Sequence, residues 1–325
     1  MPQPTISNVH VDAILTNISV AYMQKAENMI ADKVFPVVPV DKKSNKYFKY
    51  DKNDWFRDEA QRRAPGTESA GGGYNLSTDT YSADVFAFHK DVDDQTLANA
   101  DTPLNPLREA SEFVTSRLLL RREVQFIADF MTTSVWGTDV TGVASSPSSG
   151  EFIQWNDYTA SDPIENIEAA KETILSTTGF EGNTLVLGYQ VFRQLKNHPD
   201  VIDRYKYTTS SVVTEEMLAR LFGVDRILIA KSVRATNAEG LTEAYSFNFG
   251  KAACLLHVAT SPGLMTPSAG YIFAWTGVSG GLGSTIGTSQ FRMESLKAAR
   301  VEAEVAFDNK VVATDLGYFF ATAVA

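Results

Sequence analysis

The sequence predicts an α+β fold, and three stretches carry that expectation. Residues 103–133 show the three- and four-residue apolar spacing of a long helix, and residues 163–258 alternate helix and strand signals. Near the end, Val301, Ala303, Val305 and Phe307 alternate with Glu302, Glu304 and Ala306, the period-two signature of a half-buried strand. At 325 residues the chain has room for one elaborate domain or two ordinary ones. Its 44% hydrophobic and 21% charged residues are ample for a core, which excludes disorder of the whole chain.

Taken in order, residues 1–33 read as an N-terminal arm. Val11, Leu15 and Ile18 share one helical face, and Ala26, Met29 and Ile30 another. This is too little apolar surface for an independent domain. Residues 34–90 read as an extended β-arm. Pro36 and Pro39 push their predecessors out of the helical region, and Tyr47–Tyr50 and residues 80–90 are β-prone. Between them runs a charged stretch with Pro65-Gly66, Gly71-Gly72-Gly73 and the aromatics Trp55, Phe56 and Tyr74. Loops this long inside compact domains are uncommon and usually functional. The expectation is a two-stranded projection that meets another molecule through Lys49, Trp55, Phe56, Arg57, Arg62 and Arg63.

The helix expected at 103–133 has Pro103 and Pro106 in its first turn and buries Leu118, Val124 and Ile127. Its length makes it a strut. A layered α/β portion follows, with helices from Pro163 to Gly179, at Val191–Lys196 (ended by Pro199), and from a Thr214 N-cap to Gly223. Strands are expected at Thr184–Leu187, Arg226–Lys231, Tyr245–Phe249 and Ala252–Val258. Two more are expected in the tail, at Lys310–Thr314 and Tyr318–Val324.

Catalytic and metal-binding motifs fail on their partners. Gly277-Val278-Ser279-Gly280-Gly281 fits a nucleophile elbow, but that mechanism takes a histidine downstream of the serine, and all four histidines lie upstream. Gly281-Leu282-Gly283 with Gly287 resembles a dinucleotide fingerprint, yet too little chain follows it for the required parallel sheet. The histidines show no paired metal-ligand spacing. Asp91, Asp93 and Asp94 lack the glycine and terminal glutamate of a calcium loop. Cys254, the single cysteine, reads as a buried hydrophobe. No catalytic residue, cofactor or metal is expected. The net charge of −10 argues against tight nucleic-acid binding through the general surface. Neither a secretory signal nor a membrane-spanning run is visible, so the expectation is a soluble, cytoplasmically made protein.

The order of parts, with the wording Ala31-Asp32-Lys33-Val34-Phe35-Pro36-Val37-Val38-Pro39-Val40, Arg57-Asp58-Glu59-Ala60 and Gly179–Gly188, resembles the Hong Kong 97-type major capsid proteins of tailed bacteriophages. The resemblance covers essentially the whole chain. It implies an E-loop at 34–90 and a peripheral domain from 91–160 and 294–325 built round the spine helix. Residues 161–293 would be the axial domain. It also implies homopentamers and homohexamers tiling an icosahedral shell around double-stranded DNA, without sequence-specific binding. Expected partners are a separate scaffolding protein, a portal and a decoration protein. No membrane is involved, and the protein would be synthesised in the bacterial cytoplasm and end in the virion. A nanocompartment (encapsulin-like) shell of the same fold is the alternative, and a serine hydrolase using Ser279 a remote one. Some family members cross-link an E-loop lysine to an asparagine with help from a desolvated glutamate. Here Lys42, Lys43, Lys46, Lys49 and Lys52 look interchangeable, while Glu302 and Glu304, near Asn309, sit on a polar strand face. A non-covalent shell is the expectation.

Overall fold

The computed structural model describes residues 24–100, 104–205, 214–263, 265–278 and 286–325. The first helical face expected in the N-terminal arm (Val11, Leu15, Ile18) and Pro103 lie outside them. In chain order the elements begin with a short helix α1 (Ala31–Val34) and strands β1 (Val37–Val40) and β2 (Ser44–Tyr50). Helix α2 (Lys52–Trp55), β3 (Leu76–Ser82), β4 (Asp84–Asp93), α3 (Asp94–Ala98) and the long α4 (Pro106–Phe130) follow. Next come β5 (Thr138–Val143), β6 (Glu151–Ile153), α5 (Pro163–Thr178), β7 (Thr184–Gly188), α6 (Tyr189–Lys196), α7 (Pro199–Tyr205) and α8 (Glu215–Phe222). Strands complete the chain: β8 (Arg226–Ala230), β9 (Val233–Ala235), β10 (Tyr245–Phe247), β11 (Ala253–Leu256), β12 (Gly270–Trp275), β13 (Gly287–Met293), β14 (Ala298–Val311) and β15 (Gly317–Ala321).

Two sheets organise the body. One has five strands centred on β14, which pairs antiparallel with β4 along one edge and with β13 and then β12 along the other, while β1 adds parallel to β12. The alternation read in the sequence extends through this strand: Val301, Ala303, Val305 and Phe307 are buried, and Glu302 and Glu304 are partly exposed. The other sheet has six strands in the order β6-β5-β15-β11-β7-β8. Its centre is apolar throughout, with every residue of β7 and β11 buried, Cys254 included. Sheet membership therefore does not follow the expected cut of the chain. β5, β6 and β15, assigned from sequence to the peripheral unit, belong to the six-stranded sheet, and β12 and β13, assigned to the axial unit, belong to the five-stranded one. Strand pairing is decided by distant partners, whereas the sequence cut followed contiguity.

Helix α4 starts where its chemistry allows. The Asn105 side chain accepts from the Arg108 N–H at 3.2 Å, and Pro106 occupies the first turn, where no amide is needed. At 25 residues it spans about 37 Å. It ends at Phe130, short of the expected 133, with Met131 as its C-cap. Its buried stripe contains Ala110, Val114, Leu118, Phe126, Ile127 and Phe130, whereas Val124 is half-buried. Phe35 packs on Phe130 at 4.6 Å between ring centroids, which seats the N-terminal segment on the helix.

The remaining helices are fixed by their ends. Asp162 caps α5 by accepting from the Ile164 and Glu165 N–H groups, and Gly179 closes it at φ 74°. Thr214 caps α8, and Gly223 closes it at φ 60°. These two glycines hold the left-handed conformation that side chains disfavour. Pro199 does not end α6, as expected from sequence; Asn197 does, and Pro199 opens α7. Ahead of it, the buried His198 accepts the Asp200 N–H on Nδ1 at 3.3 Å and meets the Ser161 hydroxyl through Nε2 at 3.0 Å. The tail strand expected at Lys310–Thr314 is instead the end of β14 followed by a 3-10 turn at Thr314–Leu316.

Two outcomes follow from this packing. Leu118→Ala is expected to cost about 2–5 kcal/mol in urea unfolding, the usual large-to-small core penalty, and Val124→Ala clearly less. Equal losses would mean that the helix is rotated. The second concerns His198, whose proton affinity is pushed down by burial, against the opposing pull of Asp200 and Asp162. The unfolded chain then takes up a proton near pH ~6.5 that the folded chain refuses. The contribution of a neutral His198 is full above that pH and is lost as pH falls through the lower folded value. Thermal midpoints of the wild type and His198→Asn should converge between pH 7 and 5; parallel curves would contradict the cap.

Candidate functional site

The most distinctive surface is the arm. β2 and β3 pair antiparallel from Ser44↔Ser82 to Tyr50↔Leu76 and form a separate two-stranded ladder. Its feet are set by the body: β1 precedes it and pairs with β12, and β4 follows it and pairs with β14. The projection is thus the hairpin at 44–82, since Val37–Val40 and Asp84–Asp93 at the ends of the expected 34–90 arm are body strands.

At the root, Tyr81 stacks on Phe273 with ring centroids 4.6 Å apart, and Tyr47 approaches the same ring at 5.5 Å. The Tyr47 hydroxyl donates to Asp79 at 2.9 Å, and burial with that carboxylate raises its pKa. This small core with Tyr271 is separate from the main one. Farther out, every large apolar side chain is exposed: Phe48, Leu76, Tyr74, Trp55 and Phe56 are all at least half open to solvent.

The expectation that these groups lack partners within the arm needs correction. Trp55 lies 5.6 Å from Tyr74 and 6.3 Å from Tyr50 (ring centroids), a small aromatic cluster at the base of the tip. Arg57 is within 3.4 Å of Asp54 and 3.8 Å of Glu59, and the Arg63 Nε donates to the Thr67 carbonyl. Lys49 and Arg62 are exposed. Two contacts touch the subunit's own body: Lys52 pairs with Asp315, and the Phe56 ring lies over Gly179. All are solvent-exposed, and exposed ion pairs of this kind contribute about 0–1 kcal/mol.

A second site was missed entirely by sequence reasoning because its residues are charged and looked solvent-facing. Glu123 is fully buried on α4. One carboxylate oxygen accepts the Ile30 and Ala31 N–H groups at 3.0 and 2.9 Å, and the other accepts the Ser232 hydroxyl at 3.0 Å. Burial pushes its pKa up. Beside it the buried Arg122 pairs with Asp32 at 2.5 Å. The two residues tie the N-terminal turn, the long helix and the segment after β8 into one node.

Chemistry of the enzyme kind finds no constellation here. Ser279 and the Gly280–Gly283 loop lie outside the described residues. Ser161, His198 and Asp200 do come together, but with His198 Nδ1 accepting an amide proton, its Nε2 carries the hydrogen toward Ser161. The Ser161 hydroxyl in turn donates to the Asp157 carbonyl at 2.6 Å. That tautomer cannot remove a proton from the serine. The three aspartates near the end of β4 each have separate work: Asp91 pairs with Arg300 at 2.7 and 2.8 Å, Asp94 pairs with Arg292, and Asp93 caps α3. Among the described residues no cluster of three or more His, Cys, Asp or Glu is placed to hold a metal, and no helix is long and apolar enough to cross a membrane. The grooves on the body are open and shallow. One, of about 330 Å³, is lined by Asp162, Glu165, Glu168, Asp200, Asp203 and Arg204.

Comparison with known proteins gives this architecture a context. No family model matches the chain. It is 26% identical over 321 residues to the major capsid protein of Pseudomonas phage JBD67, covering 97% of each chain. It is also 26% identical over 246 residues to the major capsid protein of Burkholderia phage BcepMu, covering 73% of this chain and 74% of that one. Among solved structures, a phage-related protein from Bordetella bronchiseptica superposes with a TM-score of 0.67 at 22% identity, over 92% of this chain and 94% of that one. The capsid of Cyanophage P-SCSP1u gives 0.66 at 11% identity, over 97% and 93%. An encapsulin from Synechococcus elongatus gives 0.58 at 12%, over 96% and 95%. The likeness runs through the arm, the long helix and both sheets, so this chain is a relative of phage major capsid proteins and has the Hong Kong 97-type fold.

Proposed function

We propose that this chain is the major capsid protein of a tailed bacteriophage, assembling into an icosahedral shell around double-stranded DNA. The observation that carries the reading is similarity along nearly the full length to a phage major capsid protein. The arm supports it, since a projection whose outer half carries exposed aromatics and a mixed set of charges gains most by lying across a neighbour. In this reading the arm residues Lys49, Trp55, Phe56, Arg57, Arg62 and Arg63 contact an adjacent subunit. Pentamers and hexamers are the building units, with a scaffolding protein, a portal and a decoration protein as partners. The chain is made in the host cytoplasm and does no catalysis. Its acidity fits a container that encloses DNA without gripping it. The encapsulin likeness is one of fold alone. A protein cargo in place of DNA would favour it.

Sedimentation of the expressed protein, with its scaffold if one is required, should show capsomers or megadalton shells. A 35.6 kDa monomer under all such conditions would overturn the proposal. Replacing 51–75 by a short Gly/Ser turn should leave a folded subunit that builds no shell. Loss of cooperative unfolding in that variant would instead place the segment in the subunit core.

The shell is expected to be non-covalent. Lys42, Lys43, Lys46, Lys49 and Lys52 are all exposed, and none has the fixed, dry position that a reactive amine needs. The carboxyl beside Asn309 is Asp129, which accepts its amide at 2.8 Å, and neither Glu302 nor Glu304 takes that place. Particles boiled in SDS should run as one band near 35.6 kDa. A ladder of higher species would refute this and point to Asn309 and Asp129.

A further inference from the structure

The hairpin of β9 and β10 carries an apolar face with nothing on it. Val233, Ala235, Tyr245 and Phe247 share that face by strand alternation, and Tyr189 stacks on Phe247 with ring centroids 5.7 Å apart. Tyr245 is 65% exposed. The ladder bonds Ser232 and Thr236 toward β10, through Asn248 N–H to the Ser232 carbonyl and Thr236 N–H to the Ala244 carbonyl. By antiparallel alternation the backbone groups of Val233 and Ala235 then face outward, along an open edge.

Part of that edge is already occupied. The Gln24 side-chain amide donates to the Val233 carbonyl at 2.5 Å and accepts the Val233 N–H at 2.9 Å, copying a strand partner. Four residues later, the Asn28 carbonyl accepts the Lys231 N–H at 3.1 Å. Asn28 beside Lys231 and Gln24 beside Val233 fix the direction: as β9 is followed forward, the N-terminal segment runs backward. The next residues of that segment, toward the N-terminus, therefore come level with Ala235. Their sequence, Ile18-Ser19-Val20-Ala21-Tyr22, alternates β-prone apolar side chains with small ones and carries no charge.

We propose that residues 18–22 of the same chain add to the outer edge of β9 as an antiparallel third strand, covering the Tyr245–Phe247 face with Ile18, Val20 and Tyr22. This occupant is favoured over a second subunit because the chain is delivered to the edge, in the required direction, by Gln24. The inference stands apart from the capsid reading, since the pairing lies within one subunit.

The test uses the full-length protein with photoreactive benzoylphenylalanine in place of Tyr245, an exposed position that spares the fold. Isotopically heavy and light preparations are mixed before irradiation, and cross-linked peptides are mapped by mass spectrometry. Adducts joining position 245 to residues 18–22 within one isotopic chain are expected. Adducts to the same residues of the other isotopic chain, adducts only to residues outside 1–23, or no adduct at all would each overturn the proposal. Shell formation, measured separately by sedimentation, bears on the capsid reading alone.

Discussion

The fold hangs on one long strand with two busy edges. β14 is paired over nearly all its length with β4, while its opposite edge is divided: β13 holds it from Ala298 to Glu304 and β12 from Phe307 to Val311. One face packs under α4, where Leu118, Phe126 and Phe130 meet the alternating Val301, Ala303, Val305 and Phe307 in a common core. A register slip of one residue would carry Glu302 and Glu304 into that core and the valines out of it. Burying two carboxylates without partners is far costlier than any gain from repacking, so the register has no near competitor. The arm inherits this rigidity. Its feet are β1 and β4, both locked into the same sheet, which sets the direction of the hairpin without any requirement on its tip.

The node at Glu123 solves a different problem, that of joining the start of the chain to parts far away in sequence. Its carboxylate takes two amides from Ile30 and Ala31 and a hydroxyl from Ser232, so three segments share one acceptor. Arg226 adds a donor to the Val34 carbonyl at 2.8 Å, tying the N-terminal turn to the edge of the six-stranded sheet. Buried polar groups are expensive to leave unpaired and only modestly stabilising when paired. What they contribute is selectivity, because the N-terminal turn has one place where its free amides are met. An apolar residue at 123 would leave those amides without a partner and the turn without an address.

Local periodicity made some elements readable from the sequence. α4, α5 and β14 bury their apolar stripes with helical or strand spacing, and Asp162, Thr214, Gly179 and Gly223 mark helix ends with capping residues. What sequence order concealed was long-range pairing. β15 lies between β5 and β11, and β12 lies between β1 and β14, partners that sit far off along the chain. The charge pattern misled for a related reason. Arg122 and Glu123 read as solvent-facing because the groups that satisfy them, Asp32 and Ser232, lie on other elements. Likewise Asn309 finds Asp129 across 180 residues, where reading along the strand suggested Glu302 and Glu304. In the arm, by contrast, exposure followed directly from a long stretch with no periodic apolar face.

A shell subunit has to be stable alone yet leave its contacts unspent, and the distribution of apolar surface here meets both needs. The body is closed by two continuous cores, and the arm is held at its root by Tyr47, Tyr81 and Phe273. Beyond that root, the arm touches its own body through an exposed ion pair and a single ring over a glycine. Such contacts are worth about 1 kcal/mol or less each, so lifting the tip away costs little. Covering Phe48, Trp55, Phe56 and Tyr74 on a neighbour would recover roughly 25 cal/mol for every Å² of apolar surface removed from water. The balance tips toward the neighbour only when a neighbour is present, which is mass action built into the hairpin. Strength in the assembled state then comes from many copies of a modest contact, and no single strong bond is needed inside the subunit to prepare it.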